Sequence, residues 1–272
     1  ENDVDGNDKV IIVFSGELTN GVLGYFNPDD KYSSATYSDS NVGDIIYVTT
    51  DTSYAGSEIT DEDIMGTMAH EFQHMIYFDQ HYNNNVTTTL YTWLNEALSQ
   101  AAEYYCGYTS NHLAWIKSFL SNTKSGAYSG LSLTYWTSYN YGFGAIFIRY
   151  LIEQYGDTAI KNMCSTKYVG VKAVEQATGV DFNTIFTNFS RALVLLGTGY
   201  SGNSVYQFTS SDLTGLQTTG RGGLLPLSTT LAAGSSINDS IPPYSINFYS
   251  CGGTFKTMTL TGSSALGTVF GL

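Results

Sequence analysis

The sequence predicts an α+β fold, on three changes of pattern along the chain. Up to about residue 60, apolar residues come in short runs rich in β-branched side chains. From 61 to 196 they recur at helical spacing. From about 198, Gly, Ser and Thr dominate and short alternating runs return. The expected order is an N-terminal mixed β-sheet, a helical subdomain and a small β-rich C-terminal appendage. One domain is expected over residues 1–197, with a sheet half at 1–80 and a helical half at 81–197. Residues 198–272 are the appendage.

Each element has a local reason. ENDVDGND (1–8) is acidic and contains Gly, hence loop. KVIIVFS (9–15) is a continuous apolar run of strand length and reads as a buried strand. Asn20-Gly21 between short apolar runs signals a hairpin, and DIIYVTT (44–50) is another β-branched strand. The period then changes at TDEDIMGTMAHEFQHMIYF. Thr60 with Asp63 three residues on approximates a capping box. Asp61, Glu62 and Asp63 suit the positive end of a helix dipole. Ile64, Met68, Phe72, Met75 and Ile76 repeat at helical spacing, so 61–79 is a helix. Further helices are expected at 90–106, 111–122 (capped by Ser110), 141–156, 157–165, 169–178 and 181–196. Gly179 ends one of them and Asp181 starts the next.

Composition narrows the function. Net charge is −13, and 11 basic residues form no basic run, which argues against nucleic acid and anionic membrane as partners. No apolar run approaches the ~18 residues of a membrane-spanning helix, so no membrane insertion is expected. The chain begins at Glu1 with no visible signal peptide and reads as a mature or trimmed form. The 22 tyrosines, 28 glycines and abundant Ser, Thr and Asn, set against few lysines, suggest a secreted protein, expected as a monomer. Cys106, Cys164 and Cys251 allow one disulfide, with Cys106–Cys164 the candidate pair, against three buried thiols.

The chemistry concentrates in HEFQH (70–74). Helix positions i and i+4 share a face, so His70 and His74 can grip one cation from the same side. Zinc suits two imidazoles. Glu71 lies beside the first histidine and can reach a water at an open coordination position, as the general base. The competing reading is a helix with two surface histidines. Against it, a carboxylate and two histidines on an otherwise apolar helix are costly to bury without a role.

Two histidines leave the site one protein ligand short. A third histidine in the pattern H-E-x-x-H-x-x-G-x-x-H fails twice: position 77 is Tyr77 and position 80 is Gln80, with His81 one place late. The alternative is a glutamate from TWLNEALSQAAEYY. Glu96 follows His74 by 22 residues, room enough to end one helix and return antiparallel, and Glu103 lies two turns further on the same face.

HEFQH followed at this distance by WLNEALS resembles the gluzincin metallopeptidases. The resemblance implies a zincin fold with His70, His74 and Glu96 as zinc ligands and Glu71 as base. It makes Asn95, Gln100 and Glu103 supporting residues. Gln100 stands where thermolysin-like enzymes carry an Asp that orients a zinc histidine, and its amide oxygen is expected to serve. No histidine follows His112, so a late donor histidine is impossible. His112 itself is expected to be exposed or capping. SYNYGFGAIFIRYL resembles the gluzincin-aminopeptidase segment that supplies a tyrosine to the oxyanion, which implies that role for Tyr141; aromatic cleft wall is the alternative.

The aminopeptidases hold the substrate amine with a Glu-containing strand, and NVGDIIYVTT carries no such motif. An open edge strand there would instead bind extended polypeptide. DVDGNDKVIIVF, GYFNPDD, SNVGDIIYV, AHEFQHMI and WLNEALS, in that order, resemble the hyicolysin family of secreted bacterial zinc peptidases over roughly residues 3–197. The expectation is a zinc-dependent endopeptidase acting on extracellular polypeptides. A catalytically inactive zinc-containing adhesion protein and a gluzincin aminopeptidase are the alternatives. Asp3, Asp5 and Asn7 alternate as calcium ligands do, but the Gly comes one place early and Phe14 stands where a loop glutamate belongs; an acidic turn competes with calcium there.

Overall fold

The computed structural model describes residues 3–18, 21–51, 53–54, 57–84, 86, 92–124, 130–216, 228–231 and 242–251. Three strands, β1 (Ile11–Ser15), β2 (Gly24–Phe26) and β3 (Ile45–Thr49), form a sheet in the order β1-β3-β2. β3 is central and buried along most of its length. β1 runs parallel to it with Ile11 opposite Ile45, and β2 runs antiparallel with Tyr25 opposite Tyr47. The mixed sheet is therefore present, but two expectations about it fail. β2 pairs with β3 and not with β1, so no hairpin joins β1 to β2; Asn20 lies outside the described residues. Nor is β1 buried: Ile11, Ile12 and Phe14 are 37%, 38% and 54% exposed. An apolar run specifies a strand, whereas burial depends on its place in the sheet, and β1 is an edge. Two short ladders complete the strands: β4 (Ser53–Tyr54) with β5 (Ser57–Glu58), and β6 (Ser228–Leu231) parallel to β7 (Phe248–Cys251).

The helices are α1 (Asp61–Asn83), α2 (Thr92–Tyr105), α3 (Thr109–Lys124), α4 (Tyr141–Ser165), α5 (Gly170–Thr178), α6 (Phe182–Leu195) and α7 (Ser211–Gly215). α1 opens with a full capping box, in which the Thr60 hydroxyl accepts from Asp63 N–H and the Asp63 carboxylate accepts from Thr60 N–H. Ser110 falls inside α3 and is not its cap; its N–H donates to Glu62 at 3.0 Å. α4 breaks at Gly156 (φ 75°, ψ 174°), where two helices were expected to meet, and that left-handed φ is why glycine stands there. Gly179 and Asp181 cap as expected.

The core lies in the helical half, around Trp93, Phe143, Phe147, Phe182 and Phe189. Gly142 lets α3 and α4 touch backbone to backbone: a Cβ there would sit 2.1 Å from the Trp115 carbonyl oxygen. Packing continues past residue 197, because Phe208, Leu213 and Leu216 belong to the same core. The cause is a charge. Arg149, fully buried on α4, needs an anion, and Asp212 accepts two bonds from its guanidinium at 2.8 and 2.9 Å. A composition rich in Ser and Thr concealed this strap. Residues 242–247 also return to the helices, with Leu133 N–H donating to Tyr244 O at 2.8 Å and the Tyr244 ring 4.8 Å from Phe182. Of the expected β-rich appendage, β6 and β7 form their parallel ladder, and residues 217–227, 232–241 and 252–272 lie outside the described residues. Cys106 and Cys164 are free thiols, so the expected pairing between them is not made. Among the described residues no helix is long and apolar enough to cross a membrane.

His112 is neither exposed nor a cap. It is 0% exposed, stacks on Tyr104, and neither ring nitrogen has a hydrogen-bond partner. Burial, reinforced by the Arg149 charge, pushes its pKa down from 6.5 to about 3. The unfolded chain therefore takes up this proton first. Stability tied to His112 is whole above pH ~6.5 and drains away as pH falls toward 3, by roughly 3 kcal/mol at pH 4. His112→Phe keeps the ring stacking and removes the proton site. Urea unfolding between pH 7 and 4 should show a shallower acid loss in the variant; parallel curves would exclude His112 as an acid-labile group.

Candidate metal centre

α1 and α2 build the centre together, and β2 covers one side of it. On α2, Glu96, Ser99, Gln100 and Glu103 follow the i, i+3, i+4, i+7 spacing of a single helix face. That face packs against the stripe of α1 that carries His70, Glu71 and His74. Gly24 lets β2 approach: a Cβ there would lie 2.6 Å from Thr67 Cγ2 and 3.2 Å from Glu71 Cγ.

Glu96 Oε2 sits between the two histidines, 3.1 Å from His70 Nε2 and 3.7 Å from His74 Nε2. Four ligands at about 2.0–2.1 Å around a tetrahedral ion stand about 3.3 Å apart. The His70, His74 and Glu96 donor atoms already gather near that spacing, and together they could hold a metal ion. Glu103 is not a rival ligand. Its Oε1 lies 2.7 Å from His70 Nδ1, on the side of the ring away from Glu96. The carboxylate accepts the Nδ1 proton and leaves the Nε2 lone pair free for an ion.

This corrects the role expected of Gln100. Its amide donates to Glu103 Oε1 at 2.6 Å and braces the carboxylate; the orienting acceptor for His70 is Glu103, one turn further along. Asn95 lies beside His74, but its buried Oδ1 has no hydrogen-bond partner. Sequence reasoning missed Ser99 and Gln73. Ser99 Oγ is 3.1 Å from His74 Nδ1 and donates to Gln73 Oε1. The signal was available: both are polar residues on the inward faces of facing helices.

Burial pushes the Glu71 carboxyl up to about 7; the His70 charge pulls the other way and Glu96 adds to the rise. Phe26 N–H donates to the Glu71 carboxylate, so the outer edge of β2 faces the base. The open edge expected of NVGDIIYVTT is accordingly misplaced: β3 is central and β2 is the edge at the centre. Burial lowers His74 to about 4, helped by the His70 charge. His70 moves upward, because hydrogen bonds to Glu103 and Glu96 outweigh its burial.

Comparison with protein-family models gives no match for this chain, and comparison with curated proteins gives none either. Function therefore rests on the geometry.

Tyr141, the first residue of α4, reaches the same centre. Its hydroxyl hydrogen-bonds the Glu96 carboxylate, and its ring lies 6.2 Å from His70. Trp115 stacks on it at 5.2 Å and Trp136 meets it edge-on at 5.0 Å, which fixes the ring. Away from this centre, the three residues expected for calcium do not gather as a set. Oxygens of Asp3 and Asp5 gather with Asp44, not with Asn7. Asn7 instead donates its amide to Asp5, Asp3 accepts from Gly6 and Asp8 N–H, and Asp44 is paired with Lys31.

Proposed function

We propose that this protein is a secreted zinc-dependent endopeptidase with a zincin fold, of the gluzincin type and hyicolysin-like. The observation that carries the reading is the convergence of His70, His74 and Glu96 with Glu71 beside them at the mouth formed by β2. Zinc bound there would supply an acidified water and polarise the scissile carbonyl. Glu71 takes the proton of the attacking water and passes it to the departing amine. Tyr141 turns its hydroxyl from Glu96 to the carbonyl oxygen as negative charge builds there. Extended polypeptide adds to the open edge of β2, which suits cleavage within a chain better than capture of a free N-terminus.

The test is zinc content together with casein hydrolysis, with and without a chelator. One zinc per chain and chelator-sensitive cleavage support the reading. Zinc without cleavage of any unfolded protein would replace it with the adhesion role. Tyr141→Phe should keep its zinc and lose about 100-fold in kcat, as loss of one oxyanion donor does. A loss below threefold would make the ring cleft wall only.

A further inference from the structure

β1 is an edge strand with no partner on its outer side among the described residues, and Val10, Ile11, Ile12 and Phe14 are exposed along it. Natural edges are commonly blunted by charge or proline, and this strand carries neither. Its bonds to β3 fix which backbone groups are left over. Ile11 N–H donates to Asp44 O at 2.7 Å, and Ser15 O accepts from Thr50 N–H at 3.0 Å. Alternate residues of a parallel strand face the partner, so Ile11, Val13 and Ser15 are turned to β3. Ile12 and Phe14 therefore point both N–H and C=O outward.

Two outward residues on either side of Val13 complement themselves under a two-fold axis. In an antiparallel pair about Val13, Ile12 of one copy stands opposite Phe14 of the other, and each such pair can exchange two hydrogen bonds. The four side chains fall on one face of the joined sheet as two apolar cross-strand pairs. Charge selects the same register. Lys9 precedes β1 and Glu17 follows it, both exposed and equally far from Val13 along the chain. Each Lys9 thus meets the Glu17 of the other copy, once at either end. Centring the pair on Ile12 or Phe14 instead would break both ion pairs.

We infer that this protein forms a two-fold dimer through β1, antiparallel about Val13, in place of the monomer expected from the sequence. The two sheets join into one, in the order β2-β3-β1 followed by β1-β3-β2 of the second copy. Both β2 edges stay open at its outer ends, and the inference does not depend on the metal centre.

One strand pair is a small interface, so the expected dissociation constant is about 1–100 µM. Each copy carries a net charge of −13, so association is measured by sedimentation at ~0.15 M salt, where charges more than ~8 Å apart are largely screened. Four proteins are compared: wild type, Lys9→Glu, the swap Lys9→Glu/Glu17→Lys, and Ile12→Pro. Lys9→Glu sets like charges together at both ends and should weaken the dimer about tenfold; the swap should restore it to within about threefold. Ile12→Pro removes an outward N–H and no bond to β3, so it should fold and sediment as a monomer. Should the proline variant not fold, the two charge variants, altered only at exposed positions, still decide. Wild type that stays monomeric at about 500 µM would overturn the inference. So would a folded Ile12→Pro or a Lys9→Glu that dimerises as tightly as wild type, or a Lys9→Glu loss that the swap does not restore. A monomer whose Ile12 and Phe14 amides resist hydrogen exchange would overturn it too, because the chain itself then covers the edge.

Discussion

Glu71→Gln should bind zinc as tightly as wild type and hydrolyse peptides about 10²–10⁴-fold more slowly. The substitution keeps the size of the side chain and an oxygen to accept from Phe26 N–H, so β2 and α1 stay in register. It removes only the capacity to take a proton. Burial, at 7% exposure, raises the Glu71 carboxyl to about 7 without an ion; a bound cation would draw it down again and keep it a carboxylate, the form a general base needs. No nearby carboxylate is placed to substitute, because Glu96 faces both Nε2 atoms and Glu103 is spent on His70 Nδ1. The measurement is kcat/KM on a fluorogenic peptide with zinc content determined on the same sample. Full activity in a zinc-loaded variant would remove Glu71 from the mechanism. Loss of zinc along with activity would make it a ligand, contrary to the position of its carboxylate under β2.

What was legible in the sequence was whatever short-range chemistry dictates. The capping box at Thr60 and Asp63, the break at Gly156 and the left-handed cap at Gly179 depend on residues a few places apart. The pairing of His70 with His74 depends only on helical periodicity. Contacts between distant segments were not legible. KVIIVFS is equally apolar at an edge or at a centre, and only the sheet order decides which. His112 resembles a surface residue until Arg149 and Tyr104 enclose it. Asp212 looks like one more acidic residue in a polar stretch, yet it answers the buried guanidinium of Arg149. At the centre itself, the exchange of roles between Gln100 and Glu103 turns on which side chain arrives opposite Nδ1. A family resemblance at Gln100 placed that job one turn too early. Ser99 and Gln73 could be read as polar residues on inward faces, but their contact has meaning only once the two helices face each other.

Glu96→Ala and Glu103→Ala should separate ligand from support by the size of the zinc loss. Glu96 Oε2 stands between two Nε2 atoms at 3.1 and 3.7 Å, so its removal takes away one of three donors and the negative charge among them. Zinc affinity should fall well beyond 100-fold, and chelator-sensitive hydrolysis should vanish with it. Glu103→Ala leaves all three donors and frees His70 to rotate, which should cost about 10–100-fold. Hydrolysis by that variant should return when excess zinc is supplied, because Glu71 and Tyr141 are untouched. The order of the two losses is the test, read by competition with a chelator of known affinity. Zinc retained by Glu96→Ala but lost by Glu103→Ala would mean that the ring of His70 binds through Nδ1, and that α2 presents its ligand one turn-pair further along than the convergence at Glu96 implies.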